Sequence, residues 1–117
     1  MEGHNHDVSR TLAGQGRELR KLIPEVYEGF TQLHVASMAD GELDAGTKEL
    51  IALALAVNSQ CDGCIASHSR KAVKHGVSRQ AVAEMLGVTI MMGGGPATVY
   101  APRALAAFDE YSGPQSG

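Results

Sequence analysis

Tryptophan is absent from this 117-residue chain, and three tyrosines and two phenylalanines are its only large aromatic residues. The apolar fraction, 44%, is carried mostly by Ala, Val, Leu and Met, side chains that each withdraw little area from water. That fraction argues against a disordered chain and the length suits one domain, but the core it can build is thin. Self-association, which buries further apolar surface, is expected on that ground. Long apolar runs are also missing. The most conspicuous, Leu50 to Val57, falls far short of the ~20 residues that cross a bilayer, and the opening Met1-Glu-Gly-His-Asn-His has no signal-peptide apolar region. Positive charge is scarce, with ten Lys and Arg against thirteen Asp and Glu and a net charge of −3. Arg17, Arg20 and Lys21, like Arg70, Lys71 and Lys74, read as the wet faces of helices, not as the footprint of a nucleic-acid binder. The expectation is a cytoplasmic protein with neither nucleic acid nor membrane as partner.

Cysteine is nearly absent as well, and the two that exist stand together in Cys61-Asp-Gly-Cys64-Ile-Ala-Ser-His68. Two cysteines cannot form a disulfide framework, and a CxxC pair in a reducing compartment is catalytic or metal-bound, not a structural staple. Zinc needs four ligands. Cys61, Cys64 and His68 supply three, a second CxxC is lacking, and His75 lies too far along the chain, so no metal is expected. His4 and His6 belong to a polar tail.

No convincing strand and no internal repeat occurs, so the reading is all-α, five to six helices. Residues 1–8 read as a flexible N-terminal tail, 9–111 as the domain and 112–117 as a flexible C-terminal tail. Ser9 is expected to cap a short first helix through Leu12, Leu19 and Leu22, interrupted by Gly14 and Gly16. Pro24 suits the first turn of a second helix with a stripe of Val26, Tyr27, Phe30, Leu33 and His34; His34 on that stripe reads as a core or interface histidine. Asp44 caps a third helix, about Ala45 to Val57, whose all-round apolar surface predicts a buried central position. A fourth helix, about Asp62 to Lys74, ends at Gly76. Ser78 caps a fifth, and Pro96 opens a sixth that ends near Tyr111. Gly93-Gly-Gly95 lacks the preceding strand and following lysine of a phosphate loop, so it reads as punctuation between helices.

On a helical wheel Cys61, Cys64, His68 and His75 fall within an arc of about 60°. Cys64 and His68 form an (i, i+4) contact pair, whereas Cys61 lies about 10 Å from His68 along the axis. A thiolate is the reactive form of cysteine, and a helix N-terminus together with a histidine base favours it. Position favours Cys61 for meeting substrate, and contact with His68 favours activation of Cys64. Glu49, at the mouth of the apolar run, is a candidate to orient that base.

The series Glu49, eleven residues, Cys61, two residues, Cys64, three residues, His68 resembles the active-site motif of the alkylhydroperoxidase D-like members of the carboxymuconolactone decarboxylase family. The flank Lys48-Glu-Leu-Ile-Ala-Leu-Ala-Leu-Ala-Val-Asn resembles that family's central helix, and the likeness runs from about Val26 to Phe108. The resemblance implies an antiparallel helical bundle assembled into homo-oligomers, trimers or hexamers. It implies thiol-dependent reduction of peroxides or disulfides by the Cys61 and Cys64 dithiol, with Glu49 and His68 as proton relay. No bound cofactor is implied; the reductant would be an external dithiol of lipoyl or thioredoxin type. One departure stands out: the best-known peroxidase members carry histidine immediately before the second cysteine, and this chain has Gly63. The alternatives are a carboxymuconolactone decarboxylase-like lactone enzyme on the same fold, against which the CxxC pair argues, and a non-catalytic metal-binding or interaction module.

Overall fold

The computed structural model describes residues 3–113; residues 114–117 of the expected C-terminal tail and the first two of the N-terminal one lie outside the described residues. Six helices follow one another: α1 (His4–Leu22), α2 (Pro24–Met38), α3 (Ala45–Asn58), α4 (Asp62–Lys74), α5 (Arg79–Gly93) and α6 (Gly95–Ser112). No strand occurs among the described residues, as the all-α reading expects. The caps expected for α3 and α5 are made: Asp44 accepts from the Thr47 N–H at 2.7 Å and Ser78 from the Ala81 N–H at 3.0 Å.

Helix α4 lies at the centre, packed against α6, α3 and α1, while α5 packs on α6 and α3. The core is as lightly furnished as the composition predicts. Leu53, Val57, Ile65, Val82, Leu86 and Phe108 are buried among the alanines Ala56, Ala72, Ala101, Ala104 and Ala107. Side chains this short let helix axes approach closely, at the cost of little apolar area per residue.

Three expectations for the N-terminal segment need correction. The tail expected up to residue 8 is helical from His4, and α1 continues through Gly14 and Gly16 without interruption. Its start is not capped by Ser9 but held from the far end of the chain. The Glu110 carboxylate accepts from the Asn5 N–H at 3.1 Å, Asn5 Nδ2 at 3.0 Å and the His6 N–H at 2.8 Å, and also meets His6 Nδ1. Ser9 Oγ instead bonds the Tyr111 hydroxyl at 2.9 Å. These tertiary bonds outweigh the propensity cost of two glycines, each about 1 kcal/mol.

Helix α3 is not buried all round. Glu49, Leu53, Ala56 and Val57 face inward, but Leu55 on the opposite side is 64% exposed, because α4, α5 and α6 cover one face only. Helix α2 departs further still. None of its residues is buried, and its apolar stripe, Phe30 at 63% exposure included, turns away from the core of the single chain.

The turn from α3 into α4 sets the position of the cysteines. Gln60 has φ 55°, its N–H bonds Val57 O at 3.1 Å, and the Cys61 N–H bonds Ala56 O at 3.1 Å. This is a Schellman closure with a glutamine where glycine is usual. The same closure ends α4, with Gly76 at φ 74° and the Val77 N–H on Ala72 O at 3.1 Å.

Candidate active site

Because the Schellman turn releases the chain in an extended conformation, Cys61 is not on the helical face of α4. It is the N-cap, with φ −107° and ψ 99°, and its Sγ accepts from the Cys64 N–H at 3.2 Å. The wheel therefore misplaces Cys61, and the two sulfurs are joined as a Cys61–Cys64 disulfide with Cα atoms 5.2 Å apart. A sulfur at this position faces the unpaired N–H groups of the first turn, an environment that favours the thiolate after reduction.

Glu49 and His68 meet between α3 and α4. Glu49 is 2% exposed, and its Oε1 lies 2.7 Å from His68 Nδ1. A carboxylate can only accept, so Nδ1 carries the proton and Nε2 of a neutral His68 is left as the basic nitrogen. His68 and both cysteines line one open cleft of about 740 Å³ between α1, α2 and α4. All four residues singled out in the sequence are thus brought together: Cys61, Cys64 and His68 line the cleft, and Glu49, the fourth, stands behind His68. His75 is not among them; it ends α4 and lines a separate pocket with Asp44 and Gly46.

Two further side chains belong to this cleft. His34 of α2 stacks on His68, with ring centroids 6.0 Å apart and planes 18° from parallel. Its Nε2 lies 3.0 Å from Lys71 Nζ. An ammonium can only donate, so His34 Nε2 accepts and its proton sits on Nδ1. Burial, then the charges of Lys71 and His68, push the His34 imidazole below its ordinary value of 6.5, with Glu49 opposing. His34 is therefore a neutral, half-buried wall of the cleft; of the core or interface position that its stripe suggests, the core one is not taken in the single chain. Lys71 lies one turn beyond His68 on α4, the signal that could have drawn attention to it; its pairing with His34 crosses 37 residues and leaves no local trace.

Gly63 has a packing role. A Cβ at this position would overlap Leu12 Cδ1 of α1, so the first turn of α4 lies directly under that helix. Among the described residues no group of three or more His, Cys, Asp or Glu is arranged to hold a metal ion, and no helix is long and apolar enough to cross a membrane.

Comparison with known proteins agrees with this architecture. The sequence model of the carboxymuconolactone decarboxylase family matches residues 24–107, from the first turn of α2 to near the end of α6. An uncharacterised protein of Cupriavidus necator is 45% identical over 91 residues, 78% of this chain and 80% of its own length. An uncharacterised protein of the cox locus of Paracoccus denitrificans is 38% identical over 96 residues, 82% and 86% of the two lengths. Among solved structures, the apo form of a carboxymuconolactone decarboxylase family protein from Legionella pneumophila superposes with a TM-score of 0.90 at 45% identity, covering 92% of this chain and 96% of that one. A family member from Thermotoga maritima, described as a candidate for the antioxidative response, gives 0.72 at 28% identity, over 86% and 88%. With a match that takes in five of the six helices and the whole Glu49 to His68 series, the chain belongs to the carboxymuconolactone decarboxylase family.

Proposed function

We propose that the protein is a thiol-dependent oxidoreductase of the alkylhydroperoxidase D-like type, reducing organic peroxides or partner disulfides. The observation that carries this reading is the buried Glu49 carboxylate bonded to His68 Nδ1, behind a disulfide-bonded cysteine pair lining the same cleft. His68 Nε2 takes the proton of a cysteine thiol, and Glu49 stabilises the imidazolium. The thiolate attacks the terminal peroxide oxygen, an S–O bond forms as the O–O bond breaks, and the departing alkoxide takes a proton from His68 to leave as alcohol. The second cysteine then displaces water from the sulfenic acid and closes the Cys61–Cys64 disulfide. An external dithiol of lipoyl or thioredoxin type restores both thiols by exchange and leaves as its own disulfide. Cys61 is assigned the attack, since the N-cap position stabilises its thiolate, and Cys64 links it to His68. The disulfide is the only redox group this cycle needs.

The exposed apolar faces of α2 and α3 support assembly into a homo-oligomer, trimer or hexamer, and the reduced dithiol state suits the cytoplasm. Turnover of an alkyl hydroperoxide with a lipoyl-type dithiol tests the function. The expected result is activity in the wild type, loss in His68→Gln, and none in the Cys61→Ser/Cys64→Ser double variant. Retention of a lactone decarboxylase activity by that double variant, without peroxide turnover in the wild type, would overturn the redox reading in favour of the family's other chemistry.

A further inference from the structure

The cleft beside the disulfide carries features that the proton relay does not use. Leu12 and Arg20 reach it from α1, Tyr27 and Phe30 from α2, and Lys71 from α4. Two of these five are cations, and no Asp or Glu lines the cleft. Lys71 Nζ bonds His34 Nε2, a neutral acceptor that leaves the ammonium charge uncompensated. The Arg20 guanidinium lies over the Tyr27 ring, 5.2 Å from its centroid, which positions it without neutralising it. Among the described residues neither cation has a carboxylate partner, in a chain whose net charge is −3. An apolar floor with two unneutralised cations on its walls is complementary to one chemical class: a molecule with an apolar body and a single anionic group.

We propose that this cleft binds anionic amphiphiles, so that the substrate is an organic hydroperoxide or disulfide carrying a carboxylate or comparable anion, held by Arg20 and Lys71. The reacting end of this assignment rests on the redox reading above. Lys71 follows Cys64 by seven residues on α4, about 10 Å along the axis. The anionic group is therefore held away from the reacting O–O or S–S bond, towards the C-terminal end of α4, with the body between them over Tyr27 and Phe30. Arg20 and Leu12 precede the segment matched by the family, which begins at residue 24, so half of this anion site is supplied by a helix outside it.

Calorimetric titration of the oxidised protein with octanoate, octanol and octylammonium tests the site without requiring turnover. Octanoate is expected to bind at least about tenfold more tightly than octanol, the margin of one charge-assisted hydrogen bond, with octylammonium weakest. Arg20→Gln and Lys71→Gln should each bring octanoate towards octanol while leaving octanol unchanged, and Arg20→Lys should keep most of the preference. Equal binding of octanoate and octanol, no binding of octanoate, or octanoate binding untouched in both Gln variants would overturn the proposal. A second comparison uses a carboxylate-bearing alkyl hydroperoxide and its methyl ester. A lower KM for the acid at similar kcat supports the assignment, and equal KM values overturn it while leaving the redox reading intact. Failure of both compounds to turn over would instead remove the redox reading, with the titration still deciding the anion site.

Discussion

Glu49 Oε1 and His68 Nδ1 stand 2.7 Å apart across the packing of α3 on α4, the carboxylate accepting from the ring. That single bond selects the tautomer of His68 and leaves Nε2 as the unprotonated nitrogen of the neutral ring. Glu49→Gln keeps an acceptor oxygen but removes the charge that would stabilise an imidazolium in the proposed relay. We expect the first thiol oxidation by peroxide to slow about tenfold to a hundredfold at neutral pH, read by stopped flow, while intact mass still records reversible closure of the disulfide. An unchanged rate would deny the relay.

The contact between Gly63 and Leu12 predicts a coupling. An added Cβ at residue 63 must push aside the flexible end of Leu12, so Gly63→Ala in the wild type loses much of what alanine gains over glycine in a helix. In a Leu12→Ala background the clash is gone, and the same substitution should stabilise by about 0.5–1 kcal/mol. Urea midpoints of the four proteins close the cycle, with a coupling of about 0.5 kcal/mol or more expected between residues in contact. Additive effects would mean that α1 does not rest on the start of α4.

Gln60 occupies a left-handed conformation, φ 55°, which favours glycine. Gln60→Gly is expected to raise stability by roughly 0.5–1 kcal/mol, and the β-branched Gln60→Val to lower it by a similar or larger amount. Thermal unfolding of the oxidised protein measures both. A destabilising Gln60→Gly would show that the glutamine side chain contributes more than its backbone strain costs.

Glu110 makes the docking of α1 sensitive to acid. Burial pushes its carboxyl up, but bonds from the Asn5 side chain, the His6 N–H, the His6 ring and the Asn5 N–H bring it from 4.5 down to about 2. A carboxyl depressed by folding stabilises fully above its unfolded value and loses that contribution as pH falls through the folded one. Hydrogen exchange of the first turns of α1 should therefore accelerate as pH falls from about 4.5 to about 2, relative to α4 in the same sample. Glu110→Gln should show faster α1 exchange already at pH 6, with the acid-dependent difference reduced.

Local chemistry made much of this molecule legible in the sequence. The caps Asp44 and Ser78, the stop at Gly76 and the opening proline of α2 each depend on groups within a few residues of one another, and each stands where expected. The features that were not legible depend on partners far along the chain. The start of α1 is held by Glu110, 105 residues from Asn5, and His34 is joined to Lys71 by a bond that spans two helices. A helical wheel misplaces Cys61 because it assumes helical dihedrals throughout, and the αL turn at Gln60 ends that assumption one residue earlier. Glu49 is marked out from an ordinary first-turn acid by the family resemblance, since periodicity alone does not distinguish the two.

The absence of any buried residue on α2 bears on how this protein can diversify. The cysteines, His68 and Glu49 belong to helices whose other faces form the core, and there most substitutions carry a stability penalty. The Tyr27, Phe30 and His34 wall of the cleft is attached to a helix that gives nothing to the interior of its own chain. Substitutions there carry little penalty for the fold of the single chain, so a library at these positions would be read in which molecules the cleft admits and in how copies assemble. On the proposed function, the reacting groups are tied to the fold of the chain, whereas the α2 side of the cleft is not.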